Sequence, residues 1–161
     1  MKTLFLFLLL CTPAMARIGE TRAQCEARYG PPVEVRDNGE TTVHSRAGYG
    51  VRCTYLEGKC EAIRFRKMPA SPGQDDLPFT EAEQKALMEA NSGGKTWTKK
   101  REDAEFRMQQ WECDGLQAMH NGTLHFFTVY TSAYAVRLGT KDAVDKAAND
   151  KSDDKGSFKD F

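Results

Sequence analysis

Residues 49–67 read YGVRCTYLEGKCEAIRFRK, and this stretch decides the fold class. Tyr49, Val51, Cys53 and Tyr55 alternate with Gly50, Arg52 and Thr54, which is the two-residue period of a half-buried strand. After Glu57-Gly58 the chain returns from Cys60 to Lys67, with Ile63 and Phe65 on one face and Ala62, Arg64 and Arg66 on the other. A three-residue loop of Leu56, Glu57 and Gly58 sets Val51 opposite Ile63 and Tyr49 opposite Phe65. That register is the expected one, because it pairs apolar residues, and it separates Cys53 and Cys60 onto opposite faces. A two-residue loop would place both cysteines on one face as diagonal neighbours, so the loop length bears directly on cysteine chemistry.

Working outward, Thr21 with Gln24 forms a capping signal for a short helix that stops at Gly30 before Pro31-Pro32. Cys25 and Tyr29, four apart, share the face that includes Ile18 and point toward the sheet. Val33–Arg36, a polar turn at Asp37-Asn38-Gly39 and an extended stretch from Thr41 to Tyr55 follow. Residues 68–78 are rich in Pro, Ser, Gly and Asp and read as a surface linker. Beyond it, Thr80-Glu81-Ala82-Glu83 is a capping box, Ala86, Leu87 and Ala90 form an apolar stripe, and Asn91-Ser92-Gly93-Gly94 ends the helix. Strands resume with Phe106–Cys113. Asp114-Gly115 and Asn121-Gly122 bracket a strand from Leu116 to His120, and a long strand runs from Thr123 to Tyr134.

Both halves, 17–67 and 79–138, thus share the order of capped helix, then antiparallel strands with tight turns, a weak internal duplication. The expected architecture is a two-layer α+β sandwich: an antiparallel meander sheet with two short helices on one face. From residue 139 to 161 the chain is charged and poor in large apolar side chains, and reads as a flexible tail, with a frayed helix between Thr140 and Asn149 as one option.

The start of the chain sets the compartment. Met1-Lys2-Thr3, the apolar run Leu4–Cys11 and the small residues Ala14-Met15-Ala16 form a signal peptide, residues 1–16, with export to the periplasm or beyond. The apolar run is too short for a membrane span, so no transmembrane anchor is expected. A lipidated Cys11 is disfavoured by Leu10 before it. Removing 16 of 161 residues leaves 145, with 22 basic and 23 acidic residues and a formal charge of −1. That balance argues against nucleic acid as a partner. Four cysteines remain, Cys25, Cys53, Cys60 and Cys113, an even number in an oxidising compartment, and two disulfides are expected. No Cys-x-x-Cys pair is present, which disfavours zinc.

The run Ile18-Gly19-Glu20-Thr21 with Gln24-Cys25 and Arg28-Tyr29-Gly30-Pro31, followed by Gly58-Lys59-Cys60, resembles a pattern found in uncharacterised secreted bacterial proteins. In its order of elements the chain is also similar to the β-lactamase-inhibitor-protein-like fold and to outer-membrane assembly lipoproteins of the SmpA/OmlA type. The resemblance carries over no functional residue and lacks the lipoprotein cleavage motif. It implies a pairing of Cys25 with Cys60, against the register derived above.

Catalytic motifs are absent: no Gly-x-Ser-x-Gly, no His-Glu-x-x-His and no phosphate-binding glycine loop. Gly93-Gly94-Lys95-Thr96 reads as a helix stop. His44, His120 and His125 lie in no motif. A Cys113–His120 pair is a formal nucleophile and base, and a two-residue Asn121-Gly122 turn would set His120 and His125 diagonal on one face as two metal ligands; neither is expected to act. Asn121-Gly122-Thr123 also matches a glycosylation acceptor, but hairpin chemistry accounts for it. The expected function is a secreted cell-envelope binding or structural module without catalytic residues, metal or cofactor, whose partner is a protein or envelope component. A small hydrolase and an inhibitor or chaperone-like factor are the alternatives. On the last strand, Leu124, Phe126, Tyr130 and Tyr134 alternate with a His125-Phe127-Val129 row. The second row fits beneath the helices, leaving Phe126, Tyr130 and Tyr134 as the expected binding platform.

Overall fold

The computed structural model describes residues 17–71 and 73–141; the expected signal peptide and most of the charged tail lie outside them. A helix α1 (Arg22–Tyr29) is followed by strands β1 (Glu34–Arg36), β2 (Thr41–Arg46), β3 (Tyr49–Leu56) and β4 (Lys59–Lys67). The pattern then repeats as α2 (Glu81–Ser92) with β5 (Thr98–Asp103), β6 (Met108–Cys113), β7 (Leu116–Asn121) and β8 (Phe126–Thr131). All eight strands form one antiparallel sheet in the order β1-β2-β3-β4-β8-β7-β6-β5, so two four-stranded meanders meet along β4 and β8. The α+β sandwich and the duplicated order of elements are present. No helix among the described residues is long and apolar enough to cross a membrane.

Each helix begins at the capping box that its sequence announces. The Thr21 backbone N–H donates to Gln24 Oε1 at 2.8 Å and the Thr80 N–H to Glu83 Oε2 at 2.8 Å. Each helix lays its apolar side chains on the same sheet face. Cys25 and Tyr29 from α1 join Leu87 and Met88 from α2 in a single core with Val51, Ile63, Phe65, Ala118, Phe127 and Val129. The ladders align that face into rows. One runs Thr42, Cys53, Ile63, Val129, Ala118 and Trp111; the next runs His44, Val51, Phe65, Phe127 and His120. Both cross the β4–β8 seam without a break.

Four local expectations are corrected. The hairpin from β3 to β4 uses a two-residue turn, with Leu56 opposite Lys59 and positive φ at Glu57 and Gly58, the pair of conformations a type I′ turn demands. A bulge follows, since Tyr55 pairs with Cys60 and Thr54 with Ala62, leaving Glu61 as the extra residue. Val51 therefore faces Phe65, and Cys53 and Cys60 share the buried face. The extended stretch 41–55 is two strands, broken at Ala47-Gly48, where both φ angles are positive. β5 was not anticipated, because its six residues, all polar and nearly all exposed, carry no apolar alternation. Strand β8 is shorter than Thr123–Tyr134: Asn121 pairs with Phe126, and 122–125 form a turn in which Asn121 Oδ1 accepts from the backbone N–H groups of Thr123 and Leu124. Gly122 serves close approach there, its N–H bonding Arg107 O at 2.8 Å, where an added Cβ would lie 3.1 Å from that oxygen. From 132 to 141 the chain is helical.

A polar clamp ties α2 to the first meander. Glu83 accepts from Lys67 Nζ at 2.7 Å and Tyr49 O–H at 2.9 Å while it caps its own helix. The Lys67 ammonium, the Thr80 N–H and the Tyr49 hydroxyl hold its carboxyl down to about 2. A depressed carboxyl stabilises the fold above its unfolded value of roughly 4.3, and that contribution disappears as pH falls toward the folded value. Replacing Glu83 by Gln is therefore expected to lower the urea midpoint at pH 7, with the gap to the unmodified chain closing between about pH 4.3 and pH 2. Phe127 is fully buried at the seam, and Phe127→Ala should cost about 3–5 kcal/mol in urea unfolding, whereas Leu124→Ala in the exposed turn should stay within about 0.5 kcal/mol.

Candidate functional site

The opposite face of the sheet is not covered by α1 or α2, the helical segment 132–141 borders it near Arg52 and Thr54, and its composition is unlike the core face. The central row runs Val43, Arg52, Arg64, Thr128, Met119 and Gln110. Arg52 and Arg64 stand directly opposite one another on neighbouring strands. Like charges so placed oppose sheet formation. Arg36 and Arg66 complete a cluster that lines a surface cavity of about 300 Å³ with Val43 and Gly50, and Gly50, having no side chain, leaves its floor open.

The four arginines differ in their partners. Arg36 pairs with Glu34 at 2.6 Å and Arg66 with Asp76 at 3.1 Å. Among the described residues neither Arg52 nor Arg64 has a carboxylate within ion-pair distance. Arg64 lies over the Phe126 ring, 4.3 Å from its centroid, and its Nε donates to Thr128 Oγ1 at 3.3 Å. Burial first, then the positive charges of Arg52 and Arg66, push its guanidinium below the ordinary value. A guanidinium starts so high that Arg64 stays charged at neutral pH.

The expected aromatic platform is divided by the structure. Phe127 and Val129 lie beneath the helices as expected, and Phe126 and Tyr130 point to the other side. Phe126 is 7% exposed, closed over by Arg64, so it acts as a floor more than as an anchor. Tyr130 is half-buried, and Tyr134 belongs to the helical segment 132–141, not to a strand; their ring centroids are 6.1 Å apart. Burial, followed by the neighbouring Tyr134, raises the Tyr130 hydroxyl. Leu124 sits exposed in the 122–125 turn. A second cavity of about 830 Å³ is lined by Tyr134 and other residues of segment 132–141 and shares Arg36 and Arg52 with the first. The two openings thus form one basic, aromatic-edged surface. Sequence reasoning named its aromatics but missed its arginines, whose alternation in Arg52, Arg64 and Arg66 was visible and whose opposition depended on the register.

The titratable candidates fall elsewhere. His44 is fully buried: its Nδ1–H donates to Gly30 O at 2.8 Å, and its Nε2 accepts from Thr42 O–H at 2.8 Å, which in turn accepts from Tyr55 O–H at 3.0 Å. His120 and His125 do not share a strand face. His120 lies opposite Phe127 and meets Gln84 at 3.3 Å, while His125 has positive φ in the turn and bonds the Asp76 carbonyl. Cys113 and His120 lie at opposite ends of the β6–β7 ladder, since Cys113 pairs with Leu116 and His120 with Gln109. Gly93 caps α2 in the left-handed conformation, which accounts for the glycine pair as a helix stop.

The expected disulfides are not formed. All four cysteines are buried and free. The sulfurs of Cys25, Cys53 and Cys60 all lie within 4.8 Å of one another, while Cys113 belongs to β6, separated from β4 by β8 and β7. Three thiols at one place and one elsewhere do not make two pairs. Within the trio, hydrogen bonds from Cys53 and Cys60 hold the Cys25 thiol far below its usual range, and the contact with Cys25 together with burial pushes Cys53 and Cys60 up.

The sequence matches no protein-family model, and neither a curated protein nor a solved structure matches it. If the Arg52–Arg64 opposition is a cost carried by the fold, Arg52→Thr should raise stability by about 0.2–1 kcal/mol, read as a higher urea midpoint with an unchanged slope.

Proposed function

We propose that the protein is a secreted cell-envelope binding module without catalytic machinery, that the sheet face opposite α1 and α2 is its working surface, and that its ligand is anionic. The observation that carries this reading is the cross-strand opposition of Arg52 and Arg64 without a carboxylate partner for either among the described residues. Proteins place arginines in this way where planar, multidentate recognition of carboxylate or phosphate repays the repulsion. The groups on the surface are recognition groups. A guanidinium is neither base nor nucleophile at neutral pH, and Tyr130, raised by burial, is a neutral hydrogen-bonding phenol there. The leader-like residues 1–16 support delivery to the envelope, where phosphate- and carboxylate-bearing polymers and lipids are abundant.

Chromatography of residues 17–161 on immobilised polyphosphate and on immobilised poly-glutamate tests the reading and separates the two anion types. Retention at low salt that weakens as salt rises is expected on at least one resin. Arg52→Gln with Arg64→Gln should elute markedly earlier. Tyr130→Ser with Tyr134→Ser should remain folded and also elute earlier, because the tyrosines edge the same surface. Passage of the unmodified chain through both resins at low salt would sink the proposal.

A further inference from the structure

The three clustered thiols come from three separate elements: Cys25 from α1, Cys53 from β3 and Cys60 from β4. Their convergence depends on the two-residue Glu57-Gly58 turn, which pairs Cys60 with Tyr55 and so sets it on the face of Cys53, and on the capped α1, which sets Cys25 above them. Exposure is 0%, 0% and 1%. The three sulfurs, within 4.8 Å of each other, have no carboxylate or imidazole in their group among the described residues. The nearest polar side chains are already engaged, since Tyr55 O–H donates to Thr42 and both nitrogens of His44 are bonded.

Such a ligand set is selective. A metal–sulfur bond of about 2.3 Å places three sulfurs around one ion about 4 Å apart, inside the observed spacing. Hard cations such as Ca²⁺ and Mg²⁺ require six or more oxygen ligands, carboxylates among them, whereas the group here is three sulfurs with no carboxylate. Structural zinc takes four ligands, and catalytic zinc keeps water in its fourth position; among the described residues the trio has no fourth Cys, His or carboxylate beside it, and it is closed to solvent. Soft thiolate sets favour Cu(I), and three sulfurs with no fourth donor suit an ion that accepts low coordination. We propose that Cys25, Cys53 and Cys60 form a buried three-sulfur site for Cu(I), with Cys113 taking no part. Each sulfur that binds as thiolate gives its proton to solvent, and the copper enters and stays as Cu(I), so no electron is transferred. The site lies on the helix-covered face and is independent of the anion-binding surface.

The test is an anaerobic titration of reduced, folded residues 17–161 with Cu(I) in the presence of bicinchoninate. The chain should withhold one equivalent of copper from the chelator, and X-ray absorption of the loaded protein should show sulfur as the sole nearest neighbour. Cys113→Ser should match the unmodified chain. Cys25→Ala and Cys53→Ala, each checked for a native circular dichroism spectrum, should lose the withheld equivalent. The proposal falls if the unmodified chain leaves all copper with the chelator, if Cys113→Ser loses uptake as the trio variants do, or if exported protein carries a disulfide within the trio by peptide mapping. The unmodified chain alone decides the first and third outcomes, so misfolding of a variant does not shield the idea.

Discussion

The ladder between β4 and β8 is the contact on which the molecule depends. Each meander alone presents an apolar face and two open edges, and a lone four-stranded sheet under one short helix buries little. Joining the last strand of each half turns two marginal units into one eight-stranded sheet with a continuous core. At that seam Ile63 meets Val129 and Phe65 meets Phe127, all nearly or fully buried. Those four side chains contact both halves at once. The strands left at the outer edges, β1 and β5, are largely exposed and rich in charged residues, which suits edges that must not pair with another chain.

The same seam sets the chemistry of the two faces. Because side chains alternate along each strand, placing Ile63 and Phe65 under the helices obliges Arg64 and Arg66 to point the other way. The β3–β4 register then brings Arg52 opposite Arg64. The basic surface is therefore the reverse side of the core pattern, and the two cannot be altered independently by a register slip. Phe126 and Thr128, the reverse side of Phe127 and Val129, supply the ring and hydroxyl against which Arg64 rests.

The thiol trio follows from a smaller constraint, the turn at Glu57-Gly58. A two-residue turn with both φ angles positive shifts the return strand by one position relative to a three-residue loop. The added Glu61 bulge restores the apolar pairing of Val51 with Phe65 further along the strand while leaving Cys60 on the core side. Apolar pairing and cysteine clustering, which a bulge-free hairpin makes alternatives, are both obtained. The polar chain of Tyr55, Thr42, His44 and the Gly30 carbonyl lies on the same face, fully bonded, so the surroundings of the trio are ordered without recruiting a further ligand.

By itself the sequence determined what depends on neighbours along the chain. The Thr21–Gln24 and Thr80–Glu83 boxes, the glycine stop at Gly93, the alternation of 49–55 and the Asp114-Gly115 turn are all local signals, and they were enough for two capped helices, tight hairpins and an α+β sandwich. The tertiary structure decided what depends on partners distant in sequence. β5 exists because β6 offers an edge, not because its own residues favour burial, and Tyr134 leaves the strand because the chain turns helical at 132. The disulfide expectation rested on cysteine number, which is blind to position, whereas three sulfurs at one place and one across the sheet are a matter of register and strand order. Of the expected aromatic row, Phe126 and Tyr130 lie on the strand face that the period assigns, while Leu124 and Tyr134 fall outside the strand. The arginine opposition beside that row was not legible, since a single bulge at Glu61 determines which residues face one another across two strands.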